Sequence, residues 1–319
     1  MTAPAQSDAE APTAAPAPSA PGTVDDARTG SVAGAVGRRV GWSALVVVVS
    51  IVVLLVIWWA GLKIFSIDPL VGKTPADVWN FFFDNHPRLG VRPQSQTAGQ
   101  ARSDALSALW TTLTDAALGF VVGMVVALVV ASLFVLFDAF EFAFMPIAML
   151  LRSVPLVAMA PLILLIFGHT KVAITLVGTI VVLFPALINI VLGLRSAAPE
   201  ALDVIRVNGG GRLSALVRVQ IPSALPNLLA AVRISVPGAM VGAMLGEWIS
   251  GFSGFGGLIA TAHGLGHSTE VWALAFVGVV VSIALYAVVS VIESAALAAW
   301  GRTPAGADSG APGGLDYAA

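Results

Sequence analysis

The chain has 319 residues, of which 57 % are hydrophobic and only 11 % charged, against roughly 25 % charged in ordinary soluble domains. A net charge of −2 argues against a nucleic-acid or other polyanionic partner. The chain contains no cysteine, which excludes disulfides and thiolate zinc sites.

Residues 1–37 are rich in Ala, Pro and Ser and carry no apolar period, the composition of a disordered tail. The first apolar run, 42–60, is too long for the apolar region of a signal peptide, and no Ala-x-Ala site follows it. Apolar runs at about 42–61, 105–136, 143–167, 171–194, 224–248 and 272–299 predict six spans. Each is long enough to cross about 30 Å of hydrocarbon at about 1.5 Å per residue. The predicted class is therefore an all-α integral membrane protein, with a transmembrane domain over 38–302 and a second disordered tail over 303–319.

Prolines free backbone carbonyls, so the third span (Pro146, Pro155, Pro161) and the fifth (Pro237) are expected to be kinked and packed inside the bundle or beside a water-filled path. With the N-terminus inside, the Lys/Arg count is eight on the inner side against six on the outer. Arg38 and Arg39 abut the first span, which favours both termini inside.

Several motifs invite a site. Gly72-Lys73-Thr74 looks like the end of a phosphate loop, but position 67 is Ile where glycine is needed. It reads instead as a turn leading into a short helix, Pro75–Phe83. His263 and His267 are four apart, yet Gly264 and Gly266 weaken any helix and no acid or Cys completes a metal set.

Asp115, Arg152, Asn189, Arg233, Glu247 and Glu293 lie in or near spans, where charge costs at least about 2.5–3.5 kcal/mol unless it meets a partner or water. Arg152, Arg233 and Glu293 read as interfacial, snorkelling groups. Glu247 and Trp248 end the fifth span before Gly251, Gly254, Gly256 and Gly257, a re-entrant turn or gate loop. An acid beside an aromatic there is a candidate for holding or gating a solute. Nothing in the chain forms a catalytic set.

The longest polar interruption, 199–226, predicts a knob of two short helices on the membrane surface. The first ends near Asn208, Gly209 to Gly211 turn the corner, and the second ends before Pro222. Leu202, Ile205, Leu213 and Leu216 supply apolar contact, and Arg206 and Arg212 are placed to pair with acids on a partner.

This spacing resembles the cytoplasmic EAA loop of ABC importer permeases. The motif's acid falls on Asp203, followed by Val204 and Ile205. Its polar-Gly pair falls on Asn208 and Gly209, with Arg206, Gly210 and Arg212 around the corner, and its close on Ile221 and Pro222. Asp stands for the usual Glu and Val-Ile for Ala-Ala, while Glu200-Ala201 is out of register by three. Leu150 to Pro155, then Ala160-Pro161 through Phe167-Gly168, together with Val236 to Gly257, looks like the nitrate/sulfonate/taurine (NitT/TauT) branch of that family.

The resemblance covers about 42–300 and implies a type I importer (MetI-like) permease fold with a coupling loop at about 195–223. It implies a multi-pass protein of the bacterial plasma membrane, itself not an enzyme and binding no cofactor. ATP and Mg would sit on separate ATPase subunits that dock on the loop. A second, often identical permease chain and an extracytoplasmic solute-binding protein complete the expected assembly. Arg152, Pro155, Glu247 and Trp248 are the expected pathway residues. A sulfonate such as taurine, nitrate or another small anion, and a pyrimidine or thiamine-type precursor are the expected solutes. A secondary transporter or channel without an ATPase is the competing reading, and a membrane subunit that moves nothing is a third.

Overall fold

A computed structural model describes residues 49, 51–86, 96–251 and 253–300. The expected tails lie outside the described residues. The chain divides into a unit ending at Gly61 and a second beginning at Leu62. Residues 42–48 and 50 of the first expected span lie outside the described residues, and the rest of it lies in or beside the apolar helix α1, Ile51–Ile64.

In the second unit, α2 (Pro75–Phe83) starts where the sequence places it. Thr74 and Asp77 form a capping box, and Pro75 needs no N–H at the first helical turn. The long helix α3 (Ala98–Leu136) begins seven residues before its expected start, because Thr97 and Gln100 form a second capping box. At about 1.5 Å per residue it is about 58 Å long, well beyond a bilayer's hydrocarbon.

Its buried face is a stripe of small residues at helical spacing: Ala101, Ala105, Ala108, Thr112, Ala116, Gly119, Gly123 and Ala127. Small residues let helix backbones approach closely where lipid offers no hydrophobic drive. The stripe meets α6 (Lys171–Arg195), which packs between α3 and α9 (Ile221–Ser250). Half of α6's apolar window is buried, the largest share among the candidate spans.

The kink expected in the third span is present at Pro155, but it divides the span. The result is two helices, α4 (Asp138–Ser153) and α5 (Leu156–Phe167), bent by 100°. Pro155 cannot continue α4, and it forces Val154 out of helical geometry to ψ 126°. Pro146 and Pro161 lie within their helices without breaking them. Of the two settings expected for the span, packing inside the bundle is not met by α4 within this chain, which buries none of its residues.

The second loop helix is corrected. After α7 (Pro199–Val207), α8 (Arg212–Ala215) does not stop before Pro222 but runs through a π-helical turn, Leu216–Gln220, into α9. Ile221 N–H donates to Leu216 O, one residue farther back than in an α-helix. The wider turn makes room for a proline that has no N–H and whose ring crowds the preceding turn.

After Gly251, α10 (Gly254–Gly264) packs on α9 and α3, and α11 (Ser268–Ala299) returns along α9. Among the described residues, four helices are long and apolar enough to cross a membrane, or five with the α4–α5 pair as one. The end of the bundle bearing α7 and α8 is called the loop end below, and the end bearing α10 the far end.

Candidate functional site

At the loop end, the corner after α7 has a specific geometry. Gly209 sits at φ +76°. Its N–H donates to Arg206 O at 3.0 Å, and the Gly210 N–H donates to Ile205 O at 2.8 Å. This pairing is a Schellman closure, and its left-handed position suits glycine. The corner is also tight: a Cβ on Gly210 would lie 2.5 Å from the Ile205 side chain and 2.9 Å from its carbonyl oxygen.

Within this chain both arginines of the knob already meet acids. Arg206 pairs with Asp203 at 2.9 Å. Arg212 reaches across to Asp138 at 3.1 Å and donates to Leu136 O at 2.8 Å. Arg195 pairs with Glu141 on α4. The knob is thus tied to the α3–α4 corner, and a cleft of about 410 Å³ opens there, lined by residues that include Leu202, Arg206, Gly210, Arg212, Val135 and Asp138.

The apolar contact surface also differs from expectation. Leu216 is buried, and Leu202 and Ile205 are half-buried. The exposed apolar groups are Val204, Val207, Leu213 and Val217. Asn208 turns its amide back to Val204 O. Ile221 and Pro222 lie inside the continuous helix rather than at a loop's end.

The far end holds a buried polar cluster. Glu247 is 0 % exposed, so it is closed to solvent in this conformation rather than open at a mouth. Its Oε2 accepts from Thr112 Oγ1 at 2.8 Å and from Gly256 N–H at 3.0 Å. Thr112 Oγ1 in turn accepts from Phe255 N–H at 2.8 Å. One carboxylate oxygen and one hydroxyl therefore join α3, α9 and the first turn of α10.

The glycines around them have steric reasons. A Cβ on Gly254 would overlap the Glu247 carboxylate, and one on Gly256 would overlap Met244 O. Gly251 caps α9 at φ +72° and Gly254 opens α10 at φ +69°. One turn along α3, Asp115 is 1 % exposed and lies 3.8 Å from Lys171 Nζ. Trp248 is half-exposed, with its ring 6.3 Å from that of His263.

The remaining motifs stay apart. Lys73 Nζ donates to Pro69 O at 2.6 Å and Thr74 caps α2, so this segment is a turn and not a phosphate cradle. His263 ends α10, whereas His267 precedes α11 and pairs with Glu270 at 3.5 Å. Arg152 is exposed on α4.

Arg233 and Glu293, read from sequence as separate snorkelling groups, form an ion pair at 3.0 Å between α9 and α11. Tyr286 lies beneath the guanidinium at 5.9 Å. Arg233→Ala would leave Glu293 buried and unpaired. The expected loss is about 3 kcal/mol, at the low end for buried pairs because Arg233 is partly exposed. Thermal unfolding in detergent measures it, and the double variant Arg233→Met, Glu293→Leu is expected to unfold near the wild-type temperature.

Sequence reasoning missed Thr112, Asp138 and Glu141. Thr112 carried a signal, as the one hydroxyl in register with the alanine stripe between Ala108 and Ala116. Asp138 and Glu141 carried none, because a Lys/Arg count does not weigh acids.

A bundle with a tied, glycine-cornered knob at one end narrows the field, and comparison with known proteins decides it. Residues 119–296, more than half of the chain, match the family described as binding-protein-dependent transport system inner membrane component. The chain belongs to that family. The permease is 30 % identical over 260 residues to the riboflavin transport system permease protein RibX of Chloroflexus aurantiacus, covering 80 % of this chain and 90 % of that protein. It is 31 % identical over 165 residues to the putative aliphatic sulfonates transport permease protein SsuC of Bacillus subtilis, covering 52 % and 60 %. A crystal structure of an amino acid ABC transporter with histidines shares its fold at TM-score 0.51 and 18 % identity, covering 61 % of this chain and 95 % of that one.

The permease is therefore a multi-pass inner-membrane protein, the transmembrane subunit of an ABC importer with the MetI-like fold. Its class works with an ATPase and a solute-binding protein. The secondary-transporter reading is set aside by the family match.

Proposed function

We propose that the permease forms the path for a planar, pyrimidine-bearing heterocycle of the riboflavin type. The observation that carries this reading is the resemblance to a riboflavin permease along 80 % of the chain. A sulfonate is the second reading, supported by the shorter resemblance to SsuC.

In this proposal the permease domain spans 38–302, the loop end is cytoplasmic and both termini are inside. Two copies of the chain enclose the path. Asp203, Val204, Ile205, Arg206, Asn208, Gly209, Gly210 and Arg212, with Ile221 and Pro222 behind them, form the coupling loop at about 195–223. A separate ATPase docks on its exposed Val204, Val207 and Leu213. That subunit binds ATP and Mg, and this chain needs no cofactor. Docking couples to the path only because the contact differs between the ATPase's two states. Arg152 and Pro155 at the α4–α5 bend and Trp248 at the far end line the path, with Glu247 supporting Trp248 from behind.

The test is ATP hydrolysis by the complex in nanodiscs, co-expressed with an ATPase and a binding protein from its gene neighbourhood. The binding protein is loaded with riboflavin, a formylaminopyrimidine, taurine or nitrate in separate assays. Stimulation by riboflavin above the others is the expected result. Stimulation by taurine or nitrate alone would move the assignment to an anion. No associating ATPase would overturn the coupling reading.

A further inference from the structure

The contact that holds α10 is built from very few atoms. Glu247 Oε2 takes both hydrogen bonds, from Thr112 and from Gly256, while Oε1 has no hydrogen-bond partner among the described residues. Thr112 bridges onward to the Phe255 N–H. The binding set is therefore one acceptor oxygen, one hydroxyl and two backbone N–H groups, all buried, where an unmade hydrogen bond is costly. Nothing in that set requires a negative charge: an amide oxygen in the place of Oε2 accepts the same two bonds.

The sequence around the contact fits the same role. Gly254 and Gly256 are the positions where a side chain would collide with Glu247 or with the α9 backbone, so α10 seats against α9 with no intervening atoms. Ser250 Oγ donates to Glu247 O at 2.9 Å, which adds a bond at the last turn of α9. A cleft of about 320 Å³ lies beside this contact, between α3 and α10, with Asp104, Ser107, Thr111, Ser253 and Thr261 among its lining. α10 thus faces the far end with one side and is bolted to two spans by the other.

We propose that Glu247 is a positioning residue, acting through Thr112 and the α10 backbone to make α10 move as one body with α3 and α9. Arrival of a loaded binding protein at the far end is thereby passed to the spans. The coupling half of this inference rests on the function proposed above, while the positioning half does not. The inference inverts the ordinary expectation for a buried acid in a transporter. Glu247→Gln keeps the acceptor and is tolerated. Thr112→Val, of nearly the same shape, removes the bridge and is not. Thr112→Ser restores it.

Two readouts test it. The chain is naturally free of cysteine, so nitroxides can be placed at Leu106→Cys on α3 and Leu265→Cys at the end of α10, both exposed positions. The distance distribution between them is expected to be equally narrow in the otherwise native chain, Glu247→Gln and Thr112→Ser, and to broaden in Thr112→Val. An unbroadened Thr112→Val overturns the positioning role.

The second readout is ATP hydrolysis of the nanodisc complex with whichever loaded binding protein stimulates the native permease most. Thr112→Val is expected to lose stimulation at least about tenfold, with basal hydrolysis and recovery of complex unchanged. Loss of basal hydrolysis in parallel would reduce the contact to a folding element and overturn the coupling. Loss of stimulation in Glu247→Gln with normal Thr112→Val would overturn the clasp in favour of a direct role for the charge. A native complex that no loaded binding protein stimulates overturns the coupling together with the proposed function, and leaves positioning to the distance measurement.

Discussion

Gly209→Pro is expected to reduce binding-protein-stimulated ATP hydrolysis to the unstimulated level while the chain still inserts and folds. Gly209 adopts φ +76°, and the proline ring fixes φ near −65°. The substitution also removes the N–H that closes on Arg206 O. The Schellman corner cannot form, so α7 leaves α8 at another angle and the surface of Val204, Val207 and Leu213 is dispersed. None of these groups lies in the interior of the bundle, so the spans are left as they are. Gly209→Ala is expected to act in the same direction but less, since a left-handed alanine costs about 1–2 kcal/mol. Hydrolysis in nanodiscs with and without loaded binding protein makes the measurement. Normal stimulation in Gly209→Pro would remove the corner from the coupling route.

Gly242→Val is expected to have the largest effect on the bundle itself. A Cβ at Gly242 would stand 2.8 Å from Gly178 Cα and 3.0 Å from a Val181 methyl. From the other side, a Cβ at Gly119 would stand 3.0 Å from the same Gly178 Cα. Gly178 is therefore where α3, α6 and α9 approach backbone to backbone. Backbone cannot yield as a long side chain does, so the extra atoms must push whole spans apart. Overpacking of this kind costs about 3 kcal/mol, and here it also forfeits the close contact that drives helix association in lipid. Thermal unfolding in detergent and the yield of monodisperse protein are the measurements. Wild-type stability would mean that the three helices do not cross as closely as the structure shows.

Much of the fold was legible. The span expected at 171–194 is Lys171–Arg195, and that at 272–299 is Ser268–Ala299. Hydropathy over about 20 residues is set by composition, and in lipid composition nearly dictates helix. The start of α2 was legible for a different reason, since Thr74, Pro75 and Asp77 form a local cap that needs no distant partner. The knob was legible through Gly209, whose backbone requirement is likewise local.

What failed was less local. A window over 143–167 sums to one span whether the helix is straight or bent by 100°, so the break at Pro155 is invisible to it. The prolines alone do not tell which will break: Pro146 and Pro161 stay within helices, and Pro222 is absorbed by a π-helical turn.

The sequence by itself therefore determined the class, the positions of most spans and the corner at Gly209, because those follow from composition and from interactions within a few residues. Only the tertiary structure decided what the charged groups do. Arg206 and Arg212 find acids within the chain, Asp203 and Asp138, which spacing alone did not reveal. Arg233 and Glu293 looked like two anchors and are one pair. Glu247 looked like the mouth of a path and is sealed by Thr112, 135 residues away in the chain. Burial and pairing of such groups depend on which helix faces are brought together. That is set by the close approach of small residues at Gly119, Gly178 and Gly242, a property of helix pairs that no single helix carries.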